Sequence, residues 1–386
     1  MKKFSIFVLL TITITFMGSL KSQAIRLKSE LNKELVQYAK SHWLSPEDYV
    51  ISKFKDYDII FIGEAHKIKH DVHLIHKLIP RLHEIGVYNI GIEFGCYEYQ
   101  DKVDSLLTAK TYDEDLARWL MFKWGSYWGY KEYLDIYRKA WELNKSLSED
   151  AQKFRVVNLD YRANWNLVKE GIAAKHAEVF HKGERDEHMA KVILEEFVHK
   201  NQKALIFSGQ HHAFTHYYEP EYDFEMSRHT GYKKNRMGNL IHNKIPKQIF
   251  NIVLHYPWPM KKSPRKYCYP VEGVIDEMMM EFEDKRIGFD VKNSPFGNLG
   301  DKRSIYCIGY KDFKLNQFCD GYIFQKSIIE YEGVTLDRKF ITKDNFEEAV
   351  EYLPNPRLKT KLLNFQQLLS YINSQANIKK AFGTIE

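Results

Sequence analysis

Two Gly-x-x-His spacings stand out in this chain of 386 residues: Gly63-Glu64-Ala65-His66 and Gly209-Gln210-His211-His212. With 20 Gly and 16 His, about one such spacing arises by chance, so the pattern gains weight only from its position. Each follows directly on a compact apolar run, Ile59-Ile60-Phe61-Ile62 and Ala204-Leu205-Ile206-Phe207. Two further apolar runs also end on acids, Ile90-Gly91-Ile92 on Glu93 and Val156 to Leu159 on Asp160. Polar groups at such places also serve as helix caps. Imidazoles and carboxylates that converge can activate water in two ways. His66, Glu93 and His212 would hold a divalent Mn, Zn or Co ion with an open position, lowering the pKa of bound water to about 7. Alternatively, an imidazole oriented by a carboxylate takes the proton from water with no metal. Both lead to hydrolysis of a small-molecule or peptide substrate, with Glu64, His66, Glu93 and His212 as the catalytic set. Supporting roles fall to Asp160, to His211 and to Arg185, which would reach an anionic intermediate. The sequence does not choose between the two mechanisms.

Other chemistries lack their motifs. There is no G-x-S-x-G elbow for a serine esterase, and no phosphate-cradling G-x-x-x-x-G-K-[ST] or G-x-G-x-x-G turn. Cys96, three residues after Glu93, reads as inert packing rather than as a nucleophile. The four cysteines fit no metal-binding spacing and allow three disulfide pairings, none of them selected by spacing.

Residues that act together must be carried to one place. In open α/β sheets that place lies outside the carboxyl ends of the strands. Between Asp58–Ile62 and Tyr88–Ile92, apolar Ile68, Val72, Ile75, Ile79 and Leu82 recur at three- and four-residue steps. This periodicity predicts an amphipathic helix bent at Pro80, hence a βαβ unit with parallel strands. Further strands are predicted at 154–159, 203–207, 248–254, 304–308 and 321–324, and Ser45-Pro46-Glu47 opens a helix. The whole reads as an α/β fold, a mostly parallel sheet flanked by helices, over residues 56–325. A helical insertion rich in Trp and Tyr occupies about 97–150. A helical lead-in covers 25–55, and a C-terminal helical appendage covers 326–386.

The chain is 44% hydrophobic and 15% aromatic, enough to bury a core, and its net charge of +6 is mild. Without a clustered basic stripe, that charge gives no reason to expect a nucleic-acid partner. Lys2 and Lys3, the uncharged run Phe4 to Leu20, and small residues at Ser22 and Ala24 form a signal-peptide pattern over 1–24. It implies export to the periplasm or beyond the cell, and its removal takes three lysines and no acid. No later run is apolar for about 18 residues, so no membrane span is expected after cleavage.

The motifs together resemble the superfamily that joins erythromycin esterases, ChaN-like haem-uptake proteins and Tiki metalloproteases. The resemblance rests on Ile62-Gly63-Glu64-Ala65-His66, Ile92-Glu93, Arg185-Asp186 with Met189-Ala190, Ser208 to His212, and Asp320-Gly321-Tyr322. It implies that His66 and His212 are the family's two catalytic or metal-binding histidines and that Glu64 and Glu93 are its carboxylates. The paired Gly-x-x-His arrangement is most similar to the Tiki and ChaN branches. One residue separates Glu64 from His66, where the erythromycin esterase pattern has two, which tells against macrolide-ester hydrolysis. The ChaN resemblance implies a second class of function, haem or iron binding in the cell envelope through a Tyr or His ligand.

Overall fold

Strands that are apolar on both faces belong in the middle of a parallel sheet, and Ile59–Glu64 (β1) occupies that position. The computed structural model describes residues 32–169, 178–223, 226, 228–283, 285–362 and 364–386, so the expected signal peptide lies outside the described residues. A helix at Pro46–Lys53 (α1) starts on Ser45, whose side chain accepts the Asp48 N–H. After β1 come Lys69–Glu84 (α2), with Pro80 inside it, Asn89–Cys96 (β2), and three helices at Gln100–Thr108 (α3), Glu114–Trp124 (α4) and Lys131–Ser146 (α5). The chain continues through Arg155–Asp160 (β3), Arg185–Ile193 (α6) and Ala204–Gly209 (β4), then a hairpin of Glu219–Asp223 (β5) and Arg228–Lys233 (β6). Ile249–Leu254 (β7), a second small hairpin of Trp258–Met260 (β8) and Ser263–Cys268 (β9), then Ile287–Asp290 (β10) and Gly321–Phe324 (β11) complete the strands.

Seven of these form one sheet in the order β10-β11-β7-β1-β4-β2-β3, parallel throughout except for edge strand β10. The fold is thus α/β with a mostly parallel sheet flanked by helices. β4 lies between β1 and β2, with Glu64 opposite Gly209 and Ile92 opposite Phe207. The polar residues that follow β1, β2, β3 and β4 therefore share one edge.

Alternation along the strands sends side chains to opposite faces. Ile60, Ile62, Ile90, Ile92, Leu205 and Phe207 join one core cluster with α2 and the helices of residues 100–146. Ile59, Phe61, Val157, Leu159 and Ile206 join another with Met189, Val192 and Ile193 of α6. The first cluster also takes in Leu353, Leu368, Ile372 and Ala376, so the C-terminal residues close over the same face as α5.

The strand expected at 304–308 is instead a short 3-10 turn, Ile305–Cys307. The Asp301 carboxylate takes both the N–H and the hydroxyl of Ser304, whose oxygen in turn caps Tyr306 N–H. Local side-chain hydrogen bonds here outcompete the apolar pattern. All four cysteines are unpaired and buried.

Candidate active site at the strand ends

The backbone turns sharply after β1. His66 and Lys67 both adopt left-handed φ, 59° and 63°, a costly conformation for residues with a Cβ. The turn is held from both sides: Lys67 N–H donates to Tyr133 Oη at 2.8 Å, and Lys67 C=O accepts Val334 N–H. Its effect is to fold His66 back over the sheet edge. Nδ1 of His66 donates to Glu64 Oε1 at 2.8 Å, and that oxygen also accepts the Tyr133 hydroxyl at 2.6 Å. Glu64 is buried, its carboxyl pushed up by burial against the opposing pull of His66 and Tyr133. The His66 side chain stays 38% exposed, and among the described residues no hydrogen bond engages Nε2, which lies over Gly209.

Gly209 forms the floor. A Cβ there would lie 2.6 Å from His66 Cε1, 2.7 Å from His66 Nε2 and 3.4 Å from Glu93 Oε2. The imidazole thus rests on bare backbone beside Glu93, an approach that only glycine allows. Glu93 Oε2 accepts Gly209 N–H at 2.8 Å, and Glu93 Oε1 faces His212 Nε2 at 3.3 Å. The other His212 nitrogen donates to Asp186 Oδ1 at 2.7 Å, and Asp186 also accepts Met237 N–H and Arg236. Burial pulls the His212 imidazole down, but the two flanking carboxylates outweigh it and lift the ring to about 10. Reciprocally, burial pushes Glu93 up, but His212, His66 and Arg185 hold it well below the usual carboxylate range. Asp186 likewise falls to about 2. The result is a largely buried imidazolium clamped between two carboxylates.

Asp160 pairs with Arg185, whose Nε lies 2.7 Å from Asp160 Oδ2 and whose guanidinium also reaches Glu93 at 3.6 Å. Trp124 Nε1 donates to the same Asp160 oxygen. His211 turns outward to Glu219 of β5, which Arg236 also grips. The structure therefore brings Glu64, His66, Glu93, His212, Asp160 and Arg185 together and sets His211 at the rim. Cys96 is fully buried, and burial raises its thiol well above the normal value, as fits inert packing.

A divalent-metal site at His66, Glu93 and His212 is not shown by the structure. No group of three His, Cys, Asp or Glu among the described residues is arranged to hold a metal ion. Both ring nitrogens of His212 face carboxylates, Nε2 toward Glu93 at 3.3 Å and Nδ1 toward Asp186 at 2.7 Å. Three partners escaped the sequence reading: Tyr133, Asp186 and Arg236. Asp186 stood inside a recognised motif, yet nothing in the spacing tied it to His212. Tyr133 was one aromatic among many.

An aromatic wall flanks His66. Phe94 stacks on Trp128 at 5.4 Å, and His66 meets both rings edge-on at 5.7 and 5.2 Å. Glu64 Oε2, Trp128 Nε1, Asp160 Oδ1 and both amide atoms of Gln210 are buried there without hydrogen-bond partners. Buried polar atoms are normally satisfied, so this concentration at one strand edge marks where a ligand or solvent would be held. No helix among the described residues is long and apolar enough to cross a membrane.

Residues 50–178, about a third of the chain, match the family model described as haem-binding uptake, Tiki superfamily, ChaN. The resemblance drawn from the strand-end motifs is borne out by that match. Among solved structures, a succinoglycan biosynthesis protein superposes with a TM-score of 0.53 at 11% identity, covering 79% of this chain and 99% of that one. At such identity the likeness shows the fold alone. ChaN of Campylobacter jejuni, whose structure shows cofacial haem binding, aligns at 16% identity with a TM-score of 0.36, over 57% of this chain and 89% of its own. A variant of the erythromycin esterase EreC in its open conformation aligns at 12% identity with a TM-score of 0.45, over 71% and 90%. No curated protein matches the chain in sequence.

Proposed function

We propose that this chain, with its ChaN- and Tiki-like segment, is an exported hydrolase in which the Glu64–His66 pair activates water without a metal. The observation that carries the reading is the His66 imidazole itself, anchored through Nδ1 by a buried carboxylate, part-exposed, and with no hydrogen bond on Nε2 among the described residues. In that role Nε2 takes a proton from water as it attacks an ester or amide carbonyl, and Glu64 stabilises the imidazolium that forms. His66 then returns its proton to the leaving group. Glu93, His212, Asp186 and Arg185 act as a rigid base under Gly209 rather than as reacting groups.

Gly209→Ala tests the geometry directly. The added methyl would displace His66 from its seat, and turnover is expected to fall by about 10²-fold while Glu93 and His212 stay paired. Assaying purified mature protein and this variant against a panel of aryl esters and peptides checks the claim. Hydrolysis unaffected by the substitution would remove His66 from the reaction.

A second reading has its own support. The matched family is described as haem-binding, and His66 is an exposed imidazole against stacked aromatic rings, a chemistry suited to ligating haem iron. Bound haem would supply the iron, and His66 would be its protein ligand. An absorption spectrum of the mature chain titrated with haem separates the two readings. A Soret shift that is lost in His66→Ala, together with no product from the ester and peptide panel, favours the carrier.

A further inference from the structure

Lys67 takes no part in the chemistry above, yet its side chain lies half-buried beside His66. Its ammonium sits 5.0 Å from the centre of the Trp128 ring and 5.7 Å from that of Tyr130. Among the described residues no carboxylate lies within ion-pair distance of it. Glu64, whose field it feels, already holds His66 and Tyr133 through Oε1. Trp128 is 5% exposed, and its Nε1–H has no acceptor. The same indole meets the His66 ring. One aromatic side chain thus joins an ammonium without an ion-pair partner, a buried donor without an acceptor, and the accessible imidazole. Desolvating such donors is unfavourable unless an acceptor arrives, and a charged acceptor compensates best.

We propose that Lys67 and the Trp128 indole N–H form an anion-recognition element of the His66 site, taking a carboxylate or phosphate group of the ligand. The ligand then lies against the part-exposed His66 ring, with its anionic group anchored beside the imidazole. Ring contact holds the ammonium in place without neutralising it, so its charge stays available to the ligand. The inference rests on His66 lining the ligand site and not on hydrolysis.

Calorimetric titration of the full mature chain with benzoate, phenyl phosphate and neutral benzamide tests it. At least one anion is expected to bind about tenfold more tightly than benzamide, and the preferred anion tells carboxylate from phosphate. Lys67→Met should abolish the preference and Lys67→Arg should retain it. Trp128→Phe, which keeps an aromatic ring but removes the N–H, should weaken anion binding more than benzamide binding. Equal binding of all three probes by the unaltered protein, or a preference that survives in a folded Lys67→Met variant, overturns the proposal. Anion preference without turnover of any ester or peptide would remove the hydrolytic reading and leave this one standing. Turnover without anion preference would do the reverse.

Discussion

Replacing His66 by Asn is expected to lower hydrolytic kcat/KM by about 10³-fold while the protein keeps its thermal stability. The loss is large because no other imidazole at the site is placed to substitute. His212 has both nitrogens engaged by carboxylates, and His211 is paired with Glu219. Stability should change little, since the His66 side chain is 38% exposed and Asn tolerates the left-handed φ of 59° at this position. Glu64→Gln should cost a comparable factor, because an amide can present N–H where Nδ1 needs an acceptor and so turn the imidazole to the wrong tautomer. Steady-state kinetics of both variants beside circular-dichroism melts check this. A His66→Asn enzyme with wild-type rates would end the general-base mechanism.

The second large effect is on folding. Asp186→Ala leaves the His212 imidazolium with one carboxylate instead of two and removes the acceptor for Met237 N–H and Arg236. Breaking a buried charge pair by deleting one partner costs about 3–5 kcal/mol, and denaturant unfolding should show a loss of that order. A loss under about 1 kcal/mol, the scale of exposed ion pairs, would mean that the clamp is solvated and structurally minor.

The same groups set the pH dependence of stability. His212 rises to about 10 in the folded state, from about 6.5 in an unfolded chain. Its contribution is therefore complete below pH about 6.5 and lost as pH climbs toward 10. Asp186 falls to about 2, so its contribution is complete above the unfolded carboxylate value and lost as pH drops toward 2. Melting temperature should form a plateau from about pH 4 to about 6.5, with an alkaline decline that ends at a lower pH and is smaller in total in a destabilised but folded Asp186→Asn variant. An alkaline limb of unchanged extent and end point in that variant would show that another group is responsible.

The sequence by itself determined the four strands whose ends carry Glu64 and His66, Glu93, Asp160, and Gly209 with His212. Each is a short apolar run cut off by a polar residue, and continuous burial is what a central parallel strand requires. It also determined the α2 crossover, the parallel β1 and β2, and the residue types able to act on water. Pairing was decided elsewhere. Strands equally apolar on both faces carry no mark of their neighbours, so nothing in the pattern places β4 between β1 and β2. Only that order sets Gly209 beneath His66 and beside Glu93. Partners from helices were less legible still: Tyr133 reaches Glu64 across 69 positions and Asp186 reaches His212 across 26. A side chain's type says which hydrogen bonds it can make. Which partner it meets depends on how the helices stack on the sheet, and core packing settles that. This is why the imidazole that stays open, His66, and the one locked as an imidazolium, His212, look alike in sequence and differ in the fold.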